Sequence, residues 1–172
     1  MKLMDDLNQK KINCPRPLKD KNGKYLITIK NKSACIVTFL NGKDKKTLNN
    51  KNCYDAGRNI AKFHRASNKI KLYRKNSMSI NNLDPLLKSI KLNSQTIVPN
   101  LRSVLKTNLN EIKKEWPKNI PKGIIHGDLF IDNIFFNKNK FAGFIDFYFS
   151  SNDYLMYEIA ICINALCFDK RI

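Results

Sequence analysis

The chain of 172 residues carries a formal charge of +18, from 32 lysines and arginines against 14 aspartates and glutamates, and 42% of it is hydrophobic. That apolar content supports one sizeable core, or one domain with part of another, and excludes a disordered chain. The positive charge is spread among asparagines and isoleucines without a zinc-finger, RRM or homeodomain signature, which argues against a specific nucleic-acid partner and leaves a field suited to an anionic small ligand such as a nucleotide.

In chain order, the opening MKLMDDLNQKK lacks the apolar core of a signal peptide and sets Leu3, Met4 and Leu7 on one side, as the last turns of a helix do. The prolines of CPRP stop it. GKYLITIK and SACIVTFL read as two strands around a turn at Asn31 and Lys32, the second ending at Gly42, a hinge. From Asn52 the period changes, and Cys53, Ala56, Gly57, Ile60 and Phe63 share a helical face opposite lysines and arginines. His64, at the end of that helix, is expected to pack or cap rather than to bind a ligand. RKNSMSINN is a loop, and NLDPLLKSI opens a short helix with Asp84 as its cap and Pro85 in an early position. Leu101, Val104, Leu105, Leu109, Ile112 and Trp116 stripe an amphipathic helix, expected to be core, which Pro117 ends. After Pro121 the short apolar runs GIIH, NIFFN and FAGFIDF alternate with polar turns, and YLMYEIAICINALCF follows as an apolar helix expected to be deeply buried. Its longest apolar stretch, Ile159 to Phe168, is too short to span a bilayer and contains Asn164. The five cysteines, Cys14, Cys35, Cys53, Cys162 and Cys167, form no C-x-x-C pair. They are expected to be reduced, largely buried thiols of a cytosolic protein and not metal ligands.

The stretch IIHGDLFIDNIFF, Ile124 to Phe136, interrupts this β pattern with polar residues. His126-Gly127-Asp128-Leu129 and Asn133 follow the spacing H-x-D-L-x-x-x-N of the catalytic loop of protein kinases, and Asp146-Phe147 lies at the end of the next hairpin. Phosphoryl transfer needs a carboxylate near the acceptor hydroxyl and hard oxygen ligands for Mg²⁺. Asp128 is expected to supply the first, and Asn133 with Asp146 the second. Any one of these residues alone reads as a turn or cap; the ordered set on a strand–loop–strand frame reads as a site. His126 is expected to orient the loop, and Asp132 to stabilise it or to face solvent.

HGDLFIDN followed by GFIDF resembles the aminoglycoside phosphotransferase and choline kinase superfamily, in which glycine replaces the arginine of the protein-kinase loop. The homoserine kinase branch is more similar still, because CPRPLKDKNGK, ACIVTFLNGK, AGRNIAKFHRAS, NSMSINNLDPLL and GFIDFYFSSNDYLMYEIAICINALCF each resemble its segments in order. The resemblance implies an α+β, protein-kinase-like (aminoglycoside phosphotransferase-like) fold. Residues 1–42 would be a remnant of the small lobe with the hinge, and residues 43–172 the core of the helical catalytic lobe. It implies ATP and Mg²⁺, and cytoplasmic phosphorylation of the homoserine hydroxyl to O-phosphohomoserine in threonine biosynthesis. It also implies that Phe39, Leu40 and Asn41 lie by the adenine, and that Glu158, where many members carry aspartate, braces the loop. The alternatives are a kinase of choline or an aminoglycoside, or a remnant that only binds nucleotide. The six glycines form no G-x-G phosphate loop, and no strand lysine with a helical glutamate is found upstream. The chain is therefore expected to be a central piece of the enzyme, with an open sheet edge and little activity alone.

Overall fold

The computed structural model describes residues 1–89 and 99–168. Its longest helix, α2 (Asn50–Ser67), begins where the Asn49 side chain accepts the N–H of Asn52 at 2.9 Å. Asn52, Ala56, Ile60, Phe63 and Ser67 form its buried face. The expected face is therefore rotated slightly: Ala56, Ile60 and Phe63 are on it, but Cys53 is half-buried and Gly57 exposed. A buried line over about four turns must follow the 3.6-residue period, and positions 53 and 57 fall to its side.

Helix α1 (Lys2–Gln9) buries Met4 and Leu7 and packs on α2. The hairpin of β1 (Ile27–Ile29) and β2 (Lys32–Ala34) turns at Lys30 and Asn31, both with positive φ. These strands are shorter than expected. Beyond Ala34 the chain stays extended but pairs with the proline segment instead, through Leu18 N–H to Ile36 O at 2.9 Å and Thr38 N–H to Arg16 O at 2.9 Å.

The second half centres on β3 (Lys122–Ile125), β4 (Ile134–Asn137) and β5 (Lys140–Phe144). Strands β4 and β5 form the expected hairpin, and a bulge falls between Phe135 and Phe136. Strand β6 (Ser151–Tyr154) was not expected; it pairs antiparallel with β3, setting Ser151 opposite Ile125 and Tyr154 opposite Lys122. Ile60, Phe63, Leu129, Ile134, Phe136 and Phe144 meet in one core between α2 and these strands. Phe63 meets Phe144 and Phe147 edge-on, with ring centres 6.3 and 6.2 Å apart.

Three expectations about the remaining helices are corrected. Helix α3 (Ile80–Ser89) starts before Asn82, so Asp84 and Pro85 lie inside it; Asp84 pairs with Lys113 and caps nothing. Helix α4 (Leu101–Glu115) buries only Leu109, and Val104, Leu105 and Ile112 are exposed, because it packs on α3 rather than on the main core. Helix α5 (Leu155–Leu166) lays one face on β3, burying Glu158 and Cys162 while Met156 and Ile163 stay exposed. The cysteines divide as well. Cys14 and Cys162 are buried, and burial pushes both thiols up to about 12, whereas Cys35 and Cys167 are exposed. Among the described residues no helix is long and apolar enough to cross a membrane.

Gly143 lets two backbones meet: a Cβ there would lie 2.5 Å from Asn13 O and 2.9 Å from a Leu40 methyl. The Phe144 N–H donates to that same Asn13 carbonyl at 3.0 Å. Gly143→Ala is expected to push the segment after α1 off β5 and to cost about 1–3 kcal/mol, as overpacking does. Urea unfolding measures it, and an unchanged midpoint would show that this approach does not matter.

Candidate active site

Strand β3 ends by delivering His126, Gly127 and Asp128 to one edge of the core. Gly127 has φ +82°, and a Cβ on it would stand 3.0 Å from the Phe149 carbonyl, so the residue between His126 and Asp128 must be glycine for the turn to be this tight. The turn is braced from below by Glu158, whose carboxyl is fully buried. Its Oε1 accepts the N–H groups of His126 at 2.7 Å and Gly127 at 2.9 Å, and its Oε2 meets His64 Nε2 at 2.8 Å. His64 thus neither caps nor merely packs.

The His126 ring is also buried. Its Nε2 lies 2.8 Å from the Ile145 carbonyl, which accepts only, so Nε2 carries the proton and Nδ1 is left without a partner. Burial, the main cause, holds this imidazole below its ordinary pKa against the opposing pull of Glu158, so it is neutral near pH 7. The ring rests on Phe147 with centres 4.5 Å apart.

Asp128 is held by Asn133, whose Nδ2 donates to the Asp128 carbonyl at 2.8 Å and to Oδ2 at 3.1 Å. That leaves Asn133 Oδ1 accepting no hydrogen bond among the described residues. Asn133 ends a 3₁₀ turn, Ile131–Asn133, and its carbonyl accepts the Ile145 N–H at 3.1 Å, which sets it beside Asp146. Asp146 is exposed, adopts a left-handed conformation with φ 58°, and accepts the Tyr148 N–H at 3.3 Å, opening the turn Phe147–Phe149. Burial raises the Asp128 carboxyl above the usual carboxylate range, and the charges of Asp146 and Asp132 add to the rise; His126 and the Asn133 hydrogen bond oppose it.

The structure therefore brings Asp128, Asn133 and Asp146 to one edge, with His126 behind them and Asp132 in solvent. Leu40 packs by Gly143 on β5, while Phe39 and Asn41 are exposed and make no hydrogen bond to those three among the described residues. No cluster of three His, Cys, Asp or Glu side chains is present among the described residues. A cation would find here one exposed carboxylate, one open amide oxygen and the neighbouring Asp128, a set of hard oxygens with room for phosphate or water. The His64–Glu158 link was missed because its partners stand 94 residues apart. The one hint was that His64 directly follows the core residue Phe63.

Removing the brace tests it. Glu158→Ala strands the buried His126 N–H, the part-buried Gly127 N–H and a histidine, for an expected cost of about 3–5 kcal/mol, and Glu158→Gln, which keeps an acceptor, costs less. His64→Ala combined with Glu158→Ala is expected to cost less than the sum of the two in urea unfolding. Strict additivity would show that the two side chains do not act as a unit.

A family model described as the phosphotransferase enzyme family matches residues 1–172. Homoserine kinases of Sinorhizobium medicae and Parvibaculum lavamentivorans are each 38% identical, over 98% and 97% of this chain and 52% of their own length. The chain thus spans about half the length of the curated relatives it matches. Among solved structures, an amicoumacin kinase in complex with AMP-PNP, Ca²⁺ and Ami superposes with a TM-score of 0.74 at 17% identity, over 95% of this chain and 51% of that one. A type VIII aminoglycoside-3'-phosphotransferase gives 0.65 at 13% identity, over 98% of this chain and 64% of that one. These likenesses show the fold, α+β and protein-kinase-like. With its full length matched by the family model, the chain belongs to the phosphotransferase enzyme family.

Proposed function

We propose that this chain carries the catalytic edge of an ATP-dependent kinase that phosphorylates the side-chain hydroxyl of homoserine, giving O-phosphohomoserine for threonine synthesis in the cytoplasm. The observation that carries the reaction type is the hydrogen bond of Asn133 to Asp128 on an edge shared with Asp146. The acceptor is read from the curated relatives, which are named homoserine kinase at 38% identity.

In this reading Asp128 accepts the proton of the acceptor hydroxyl as its oxygen attacks the γ-phosphorus, and ADP leaves. Its raised pKa suits a base better than an ordinary surface aspartate would. Asn133 fixes the orientation of that carboxylate and turns its own Oδ1 outward. Asn133 and Asp146 would hold Mg²⁺, which when bound neutralises charge on the phosphates. Neutral His126 and the Glu158 brace hold the loop without exchanging protons. We place the division between small-lobe remnant and catalytic lobe at Gly42, with Phe39, Leu40 and Asn41 beside the adenine. The Leu40 contact with Gly143 supports this by linking that segment to the strand leading to Asp146.

An ADP-release assay offering homoserine, choline and an aminoglycoside to the complete enzyme carrying this segment tests the acceptor. Homoserine is expected to be preferred, and preference for either other alcohol would overturn that choice. Asp128→Asn keeps the shape but accepts no proton, and is expected to lower turnover by about 10²–10⁴-fold. The pH profile of kcat/KM adds a second readout. Because the Asp128 pKa is raised, activity is expected to fall on the acid side above pH ~4, the ordinary aspartate value, and the Asn variant is expected to lose that limb. Asp146→Ala, and more mildly Asn133→Ala, are expected to raise the Mg²⁺ concentration needed for half-maximal rate; a loss of homoserine affinity alone would contradict their assignment.

A further inference from the structure

Arg74 lies outside the motifs discussed so far, yet it is fixed from both ends. Its N–H donates to Asn152 Oδ1 at 2.8 Å, and its carbonyl accepts the Asn152 N–H at 2.7 Å. Its side chain reaches across to the segment after Asp146, where Nη1 donates to the carbonyls of Tyr148 and, at 3.5 Å, Ser150. The guanidinium also lies over the Tyr148 ring, 5.7 Å from its centre. Despite these contacts Arg74 is exposed, its Nε and Nη2 donate to nothing, and no carboxylate pairs with it among the described residues.

Its place ties it to the reacting edge. Tyr148 is the residue whose N–H donates to the Asp146 carboxylate, and the Ser150 hydroxyl donates to the His126 carbonyl at 3.3 Å. Both anchors of the guanidinium therefore belong to the strap between Asp146 and the catalytic loop. Arg74 also lines a cavity of about 160 Å³ with Met1, Leu3, Phe147, Ser150 and Asn152, which Asp128, Asn133 and Asp146 do not line.

We propose that Arg74 binds the carboxylate of the acceptor substrate, so that this site selects a hydroxy acid and rejects alcohols without an acid group. The reading rests on the kinase assignment of Asp128 and deepens it. An arginine whose one nitrogen is spent on backbone carbonyls presents its remaining N–H groups as a fixed fork, the geometry that a carboxylate fits. The ordering cost has been met in the folded protein, so the substrate gains most of the interaction. Lysine has the charge without the fork.

The test compares homoserine with its carboxamide, which keeps the hydroxyl and the amine, in the complete enzyme and in Arg74→Met and Arg74→Lys. The wild type is expected to favour the acid, and Arg74→Met to raise KM for homoserine at least ~10-fold more than KM for the carboxamide or for ATP. Arg74→Lys is expected to recover part of the preference. If Arg74→Met lowers kcat and thermal stability for both substrates alike and keeps the acid preference, Arg74 is only a clamp and the proposal falls while the kinase reading stands. If the wild type takes a different hydroxy acid and Arg74→Met loses it, the homoserine assignment falls and Arg74 stands. A wild type that phosphorylates only alcohols lacking a carboxylate overturns both.

Discussion

The buried carboxyl of Glu158 accepts two successive main-chain N–H groups at the end of β3 and meets the ring of His64, so that α2, α5 and the proposed catalytic loop converge on one side chain. Without an acceptor there, two amides would sit unpaired in the core, at a cost that rules out the tight turn at Gly127. Everything on the proposed reacting edge depends on that turn. It sets the direction in which Asp128 leaves the strand, and it allows the Phe149 carbonyl to approach Gly127 closely.

The edge itself is an exercise in placing like charges close together. Burial raises the Asp128 carboxyl, and the charges of Asp146 and Asp132 add to that rise against the opposing pull of His126 and Asn133. Uncompensated, this crowding favours a proton on Asp128; a divalent cation on the Asn133–Asp146 side would relieve it, which is how a proposed base and a proposed metal site support each other. Asn133 is suited to lie between them because its amide has a donor for Asp128 on one side and an acceptor free on the other.

Much apolar surface lies outside this arrangement. Val104, Leu105 and Ile112 on α4, and Met156 and Ile163 on α5, are exposed although the sequence pattern marks them as core. Amphipathic spacing shows that a helix has an apolar face; it does not say what that face will meet. In the described residues α4 packs mainly on α3 and α5 mainly on β3 and β6, and these apolar side chains stay exposed.

Local spacing in the sequence determined the order of the proposed reacting residues, the α2 core face through Ala56, Ile60 and Phe63, and the β4–β5 hairpin. Each depends on a period or a turn within a few residues, where backbone geometry leaves few choices. Strand β6 was invisible, because Ser-Asn-Asp-Tyr has no apolar alternation and becomes a strand only by pairing with β3. The reach of His64 to Glu158 and of Arg74 to Tyr148 was invisible for the same kind of reason: these pairs stand 94 and 74 residues apart. Only the tertiary structure decided them, since a polar side chain's partner is set by which backbone groups the packed core leaves unsatisfied, and no stretch of sequence carries that information by itself.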